Sequence, residues 1–136
     1  MSFHNRLRFV SCFLYLISLT QNAFCTELDC IKSFWCLIGG CFSFLLGGAA
    51  ITWFANPLIF LSWYYLNKNI KASLYISFAA SVMCLSFLLF FKRVMINEAG
   101  QYSIIIFNGF GYWLWVTSAL TMVIGILFTH ISVRSQ

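Results

Sequence analysis

The chain has 136 residues, of which 62% are hydrophobic and 8% are charged, and its formal net charge is +5. A typical soluble domain carries roughly 25% charged residues, so this composition excludes a protein whose surface faces water throughout. The length suits one domain of about three or four membrane spans. Because the basic residues flank apolar segments, we expect no nucleic-acid partner.

The first 25 residues have the parts of a secretory signal peptide. A basic start is followed by an apolar run over residues 9–19 and by small residues near position 25. The same segment also predicts an uncleaved first transmembrane helix. Both alternatives place Thr26 on the far side of the membrane.

Residues 33–66 form an apolar segment of 34 positions without a charged side chain. One helix of that length would measure about 50 Å, whereas the hydrocarbon core of a bilayer is about 30 Å thick. Asn56 and Pro57 supply a break, because proline disfavours helix at the residue before it. The pattern therefore predicts a transmembrane helix over 33–54 and an interfacial helix over 56–66 with aromatic rings at headgroup level.

Two further apolar runs predict transmembrane helices over residues 72–91 and 111–131. Residues 94–110 between them are mixed and predict a loop on the outer side. Within that loop, residues 102–107 are β-branched and aromatic, a composition typical of strands.

Together these elements predict an all-α integral membrane protein, a small multi-pass helical bundle with three or four transmembrane helices and a Pro-broken interfacial helix. Lipid admits only helices or closed barrels, and the repeats of a barrel are absent. With the N-terminus inside, more lysine and arginine lies inside than outside, and with both termini inside the even number of crossings is four. The simple loops, the signal-like start and the small size are typical of a bacterial inner-membrane protein. The inner basic residues are Arg6, Arg8, Lys68, Lys71 and Arg134, and the outer ones are Lys32, Lys92 and Arg93.

The six cysteines form no CxxC pair and no zinc spacing. Free cysteine usually packs as a small hydrophobe. Two other interpretations stay open. Cys25 and Cys30 would form a local disulfide if their side of the membrane is oxidising, and Cys30, Cys36 and Cys41 would serve a membrane thiol–disulfide or quinone-linked oxidoreductase.

Small residues recur at spacings of three and four in two apolar runs, so each set falls on one helix face. Such faces let helix backbones approach closely in lipid. We expect a packing face within the bundle, and the alternative is a docking face for a larger membrane protein or a homo-oligomer. The residues are Cys36, Gly40, Ser43, Gly47 and Ala50 in the first run, and Ser73, Ser77, Ala80 and Cys84 in the second.

The densest polar cluster follows the run that ends near residue 91, and it comprises Lys92, Arg93, Asn97 and Glu98. A carboxylate beside an arginine is most often an ion pair that holds a loop. The cluster lacks the second acid or base that proton transfer requires.

No P-loop, HExxH, GxSxG or paired-carboxylate motif occurs in the chain. His4 and His130 lie at the same predicted interface and do not suggest a haem. We therefore expect no enzyme, cofactor or metal site, but an accessory, assembly or immunity-type protein that acts in the lipid bilayer through helix–helix contacts. One alternative is the thiol or quinone-linked oxidoreductase, and another is a transporter or channel subunit whose path is lined at Asn56 and Pro57.

Overall fold

The computed structural model describes residues 2–43, 48–95 and 99–134 of the chain, without the side chains of residues 43 and 130–134. Over these residues the protein is mostly helical, with five α-helices, one 3-10 helix and a small sheet. In chain order the elements are α1 Phe3–Thr20, β1 Asn22–Thr26, β2 Cys30–Lys32, α2 Ser33–Ser43, the 3-10 helix Gly48–Phe54, α3 Ala55–Tyr65, α4 Ile70–Phe90, β3 Arg93–Met95, β4 Tyr102–Asn108 and α5 Phe110–Arg134.

Two of the long helices begin at polar capping residues. The Ser2 side chain accepts a hydrogen bond from the backbone N–H of Asn5 at the start of α1. At the start of α4, Asn69 accepts one from Ala72 at 3.1 Å. Both caps satisfy N–H groups that have no acceptor inside their own helix.

Four helices pack in an antiparallel bundle, in which α5 lies against both α1 and α4, and α4 lies against α3. Close approach of α1 and α5 depends on a glycine, because a Cβ atom at Gly125 would collide with the side chain of Leu7. At the other end of α5, the hydroxyl of Tyr112 donates to the carbonyl oxygen of Cys84 on α4 at 2.8 Å.

Serines lie among the apolar side chains of the core, and large apolar residues cover much of the outside of the bundle. The buried serines are Ser11, Ser62, Ser73, Ser77 and Ser118, each at most 1% exposed. The outward positions of the helices hold large exposed side chains, among them Phe9, Phe13, Phe78, Leu89 and Phe128. A bundle in water covers its outside mainly with polar and charged side chains.

Two helical segments, Ile70–Phe90 and Phe110–Thr129, are long and apolar enough to cross a membrane. Only 33% of the apolar window in the first and 44% in the second is buried inside the protein. Most residues of these two windows are therefore not fully buried inside the protein, whereas a core helix of a soluble protein is mostly buried.

The predicted helical bundle is confirmed in part, since the protein is mostly helical, but the described residues also include a four-stranded antiparallel sheet in the order β2-β1-β4-β3. β4 covers the stretch whose β-branched and aromatic residues are typical of strands. The helices bring the segments after α1 and after α4 to the same end of the bundle. Their backbone groups then pair with each other, which an isolated loop cannot do.

The described part of the predicted helix over 33–54 is not one regular α-helix. α2 ends at Ser43, and the next described segment is the 3-10 helix Gly48–Phe54. Gly48 has a φ of 62°, a left-handed conformation that favours glycine.

The break predicted at Pro57 does not occur. α3 begins at Ala55, so Pro57 lies in its first turn, where the missing N–H has no partner to lose. The predicted interfacial helix 56–66 corresponds to α3, but it is part of the bundle. Its residues Ile59 and Ser62 are buried, and it packs against α4.

Candidate functional site

The sheet is attached to one end of the bundle by aromatic contacts. The ring of Phe24 on β1 lies 5.8 Å from that of Phe87 on α4, and Phe87 lies 5.7 Å from Tyr112 on α5. Phe24 and Phe87 are both largely buried. These contacts fix the position of the sheet relative to the helices.

A disulfide joins Cys25 of β1 to Cys30 of β2, and these two residues are opposite each other in the strand register. The turn between the strands is also held by Thr26. Its Oγ1 accepts from the N–H groups of Leu28 and Asp29, both at 3.3 Å, and donates to the carbonyl oxygen of Asp29 at 3.1 Å. The hairpin is therefore closed by both covalent and hydrogen bonds.

The outward face of β4 is apolar and exposed. Its residues are between 45% and 62% exposed, and we call them the β4 stripe: Tyr102, Ile104, Ile106 and Phe107. Side chains alternate along a strand, and Ser103 accordingly is buried on the opposite face. The pairing of β1 with β4 is irregular between Cys25 and Thr26, which explains why the consecutive residues Ile106 and Phe107 are both exposed.

Charged residues share the layer that contains the β4 stripe. Glu27, Asp29, Lys32 and Arg93 are all exposed and lie in or beside the strands. The sheet layer thus exposes charged and apolar side chains together.

A polar centre lies in the bundle where the sheet begins. Asn56 Oδ1 accepts from the hydroxyl of Tyr15 and from Nε1 of Trp115, both at 2.9 Å, and Asn56 Nδ2 donates to the carbonyl oxygen of Trp53 at 3.0 Å. One amide thus connects α1, α3, α5 and the 3-10 helix. Both polar atoms of this buried amide are hydrogen-bonded, so it stabilises the junction of the helices.

A cavity of about 300 Å³ lies between α2, the 3-10 helix, the sheet and the adjoining end of the bundle. Its apolar walls include Phe24, Trp35, Phe87 and Trp115. α2 is held over the cavity by Trp53, whose Nε1 donates to the carbonyl oxygen of Leu37 at 2.7 Å. A Cβ atom at Gly40 would collide with the Trp53 ring, so the small residue permits this contact.

The residues predicted to form packing faces lie in different environments. On α4, Ser73, Ser77, Ala80 and Cys84 are all buried inside the chain, which leaves that face no surface for a partner. Cys36 and Gly40 belong to α2 and line the cavity, as does the half-buried Ala50 of the 3-10 helix. Gly47 and the side chain of Ser43 lie outside the described residues.

Only half of the predicted polar cluster can be placed. Lys92 and Arg93 are both exposed, and Arg93 is the first residue of β3. Asn97 and Glu98 lie outside the described residues.

The three cysteines of the oxidoreductase hypothesis do not form a common site. Cys30 is bonded to Cys25, Cys36 is half-buried in α2, and Cys41 is exposed. Burial raises the pKa of the Cys36 thiol to about 12, which disfavours the reactive thiolate. Across residues 2–43, 48–95 and 99–134, no three His, Cys, Asp or Glu side chains are grouped to hold a metal ion.

Sequence reasoning missed the polar contacts that connect the helices. Ser11 pairs with Ser118 across one helix interface, and Ser62 pairs with Ser73 across another. The Tyr15 hydroxyl donates a hydrogen bond to Asn56 Oδ1. The available signal was the isolated serine within each apolar run, since a hydroxyl in lipid usually points toward another helix.

No family model, no curated protein and no solved structure matches this chain. Its function must therefore be inferred from its own residues.

Proposed function

We propose that the chain is a multi-pass membrane protein with four crossings and a non-catalytic role, and that it binds an apolar protein surface through the β4 stripe. It would belong to the accessory, assembly or immunity class. The residues that carry recognition are Tyr102, Ile104, Ile106 and Phe107.

The distribution of side chains supports lipid around the bundle. Serines such as Ser11 and Ser118 are buried between helices, while Phe9, Phe13 and Phe128 are exposed on the outside. Lipid would cover these apolar surfaces, and the hydroxyls would find partners on neighbouring helices, as packing in a bilayer requires.

The helix lengths agree with four crossings. α1, α4 and α5 have 18, 21 and 25 residues. The remaining crossing comprises residues 48–65, formed by the 3-10 helix of 7 residues and α3 of 11 residues. At a rise of about 2.0 Å per 3-10 residue and 1.5 Å per α residue, this segment measures about 30 Å, the thickness of a hydrocarbon core.

α1 fits better as a retained crossing than as a cleaved signal peptide. Its residues Ser11, Tyr15 and Ser18 are buried in the bundle. Removal of residues 1–25 would also remove Cys25, and with it the disulfide to Cys30.

The charges favour an orientation with the sheet outside. Asn67 Nδ2 donates to Asn5 Oδ1, so the start of α1 and the α3–α4 connection lie at the same end of the bundle. That end carries Arg6, Arg8, Lys68 and Lys71, whereas Glu27 and Asp29 lie with the sheet. The positive-inside rule then places the sheet on the outer side, where a disulfide persists. A bacterial inner membrane fits this arrangement.

The single observation that carries the proposed role is the β4 stripe. The exposed apolar surface of the helices needs no partner other than lipid. The β4 stripe lies in the layer that also holds the exposed charges, so lipid does not account for it. Contiguous apolar surface exposed to water marks a contact site with another protein, and the disulfide-closed hairpin beside it provides a rigid support.

Photocrosslinking in native membranes tests this proposal. A benzophenone amino acid placed at Ile104 or Ile106 should yield a crosslinked protein adduct, because these side chains would touch the partner. The same group at Glu27 on the hairpin turn and at Tyr75 on the exposed face of α4 provides matched controls. The adduct formed at Ile104 should disappear when Ile106 is replaced by asparagine.

The outcomes separate the occupants of the surface. An adduct with a different protein that depends on Ile106 supports the proposal. An adduct of twice the mass of the chain would show that the surface binds a second copy instead. Equal yields of crosslinked protein from Glu27 and Ile104 would contradict binding of a partner through the β4 stripe. The absence of any adduct from both Ile104 and Ile106 would contradict it as well.

A further inference from the structure

The cavity under α2 has walls suited to a hydrocarbon chain. Rings of Phe24, Trp35, Phe87 and Trp115 line it together with the small residue Ala49. Its volume of about 300 Å³ falls at the lower end of the range for ligand sites. An apolar ligand with a single chain therefore suits the size and the chemistry of this space.

The lining of the cavity is mostly apolar but includes polar side chains, among them Thr52, Asn56 and Ser33, and one cation. Among the described residues that line the cavity, Arg93 is the only charged one. The two acids of the described residues, Glu27 and Asp29, are in the hairpin turn and do not line it. Ser33 is nine-tenths buried in the same wall, and its Oγ has no hydrogen-bond partner among the described residues. A guanidinium attracts an anionic group through charge-assisted hydrogen bonds.

α2 separates the cavity from the surroundings on one side. Its residues Cys36 and Gly40 line the cavity, whereas Phe34, Ile38 and Phe42 are between 42% and 78% exposed on its outer face. In the proposed membrane position, that outer face would contact the outer leaflet. A molecule dissolved in the leaflet would then lie one helix away from the cavity.

We propose that this cavity binds an amphiphile with an anionic head group, with one hydrocarbon chain against the aromatic walls and the head group at Arg93. The chemistry is shared by a free fatty acid and by an anionic phospholipid. This inference goes beyond the proposed partner binding. Tyr102 of the β4 stripe also lines the cavity, but Ile104 and Ile106, on which the test of partner binding depends, do not.

Tryptophan quenching by a brominated amphiphile tests the site, because Trp35, Trp53 and Trp115 line the cavity. The full chain in phosphatidylcholine nanodiscs is titrated with bromoundecanoate and with bromoundecanol, which has the same chain and no charge. The acid should quench at about one-tenth the concentration of the alcohol, the factor typical of a charge-assisted hydrogen bond. Arg93→Gln should remove this difference, and Lys92→Gln, which changes a neighbouring cation outside the cavity, should keep it.

A second variant tests the cavity itself. Ala49→Phe adds a ring inside the cavity and should abolish saturable quenching by both compounds, while quenching by lipid-dissolved bromine at exposed tryptophans remains. Nanodiscs of brominated phosphatidylglycerol or brominated phosphatidylcholine then distinguish the source of the ligand. If only brominated phosphatidylglycerol quenches in a way that depends on Arg93, the ligand is an anionic phospholipid. If only bromoundecanoate does so, the ligand is a fatty acid.

Two results would overturn the proposal. One is equal quenching by acid and alcohol in both the wild type and Arg93→Gln. The other is saturable quenching that persists unchanged in Ala49→Phe.

Discussion

Ser11 on α1 and Ser118 on α5 exchange hydrogen bonds, each hydroxyl lying 2.9 Å from the carbonyl oxygen of the other residue. Trp63 of α3 adds a third helix to the pair, since its Nε1 donates to Ser11 Oγ at 2.9 Å. Ser62 and Ser73 repeat the exchange between α3 and α4. Small hydroxyl residues thus allow close helix contact and provide hydrogen bonds at the same points.

Replacing Ser118 with leucine should destabilise the bundle, because the larger side chain would push α1 away from α5 and remove the exchanged hydrogen bonds. We expect a cost of about 1–3 kcal/mol, typical of overpacking. Thermal unfolding in mild detergent measures the effect. Thr117→Leu, which changes the exposed neighbour, should leave the midpoint nearly unchanged, and equal losses in the two variants would refute this packing.

The neighbouring glycines Gly39 and Gly40 provide a matched pair on α2. A Cβ atom at Gly40 would collide with Trp53, whereas one at Gly39 would meet no atom of the described residues within 4 Å. Gly40→Ala should therefore displace α2 and lower the thermal midpoint, and Gly39→Ala should not. If both variants unfold at the wild-type temperature, α2 does not pack on Trp53.

Asn56→Leu should destabilise the junction of the helices with the sheet. The substitution removes the acceptor shared by Tyr15 and Trp115, and two buried donors would then lack partners, at a cost of about 1–3 kcal/mol each. Asn67→Ala, which removes an exposed amide hydrogen-bonded at 3.4 Å, is the control. Unfolding by increasing denaturant would distinguish them, and an Asn56 variant as stable as the control would refute the polar centre.

Alkylation rates test the thiol chemistry of α2. Burial raises the pKa of Cys36 to about 12, so its thiol stays protonated at pH 8 and becomes reactive only at much higher pH. Iodoacetamide at pH 8 should therefore modify the exposed Cys41 first. Labelling followed by mass spectrometry of peptides measures the order. Faster modification of Cys36 would instead favour a reactive thiolate and revive the oxidoreductase hypothesis.

The long helices could be predicted from sequence because hydropathy and length determine them almost alone. α4 occupies Ile70–Phe90, close to the predicted 72–91, and α5 starts at Phe110 near the predicted 111. The helix ends within residues 33–66 were harder to predict, because no side chain there is charged. The hydropathy pattern therefore marks neither the end of α2 nor the position of Pro57 in the first turn of α3.

The sheet and the cavity could not be predicted because they depend on contacts between distant segments. β1 pairs with β4, although Cys25 and Phe107 are far apart in the chain. Asn56 likewise meets Tyr15 and Trp115 only after three helices have packed. Such contacts follow from the bundle geometry, which local composition does not encode.

Labelling from one side of the membrane tests the four-crossing arrangement most directly. In a Cys41→Ser background, Tyr102→Cys and Lys68→Cys place single new thiols at the sheet and at the α3–α4 connection. A membrane-impermeant maleimide should label position 102 in intact spheroplasts and position 68 only after permeabilisation. Labelling of both positions in intact spheroplasts, or of position 68 alone, would contradict an outer sheet above a bundle of four crossings.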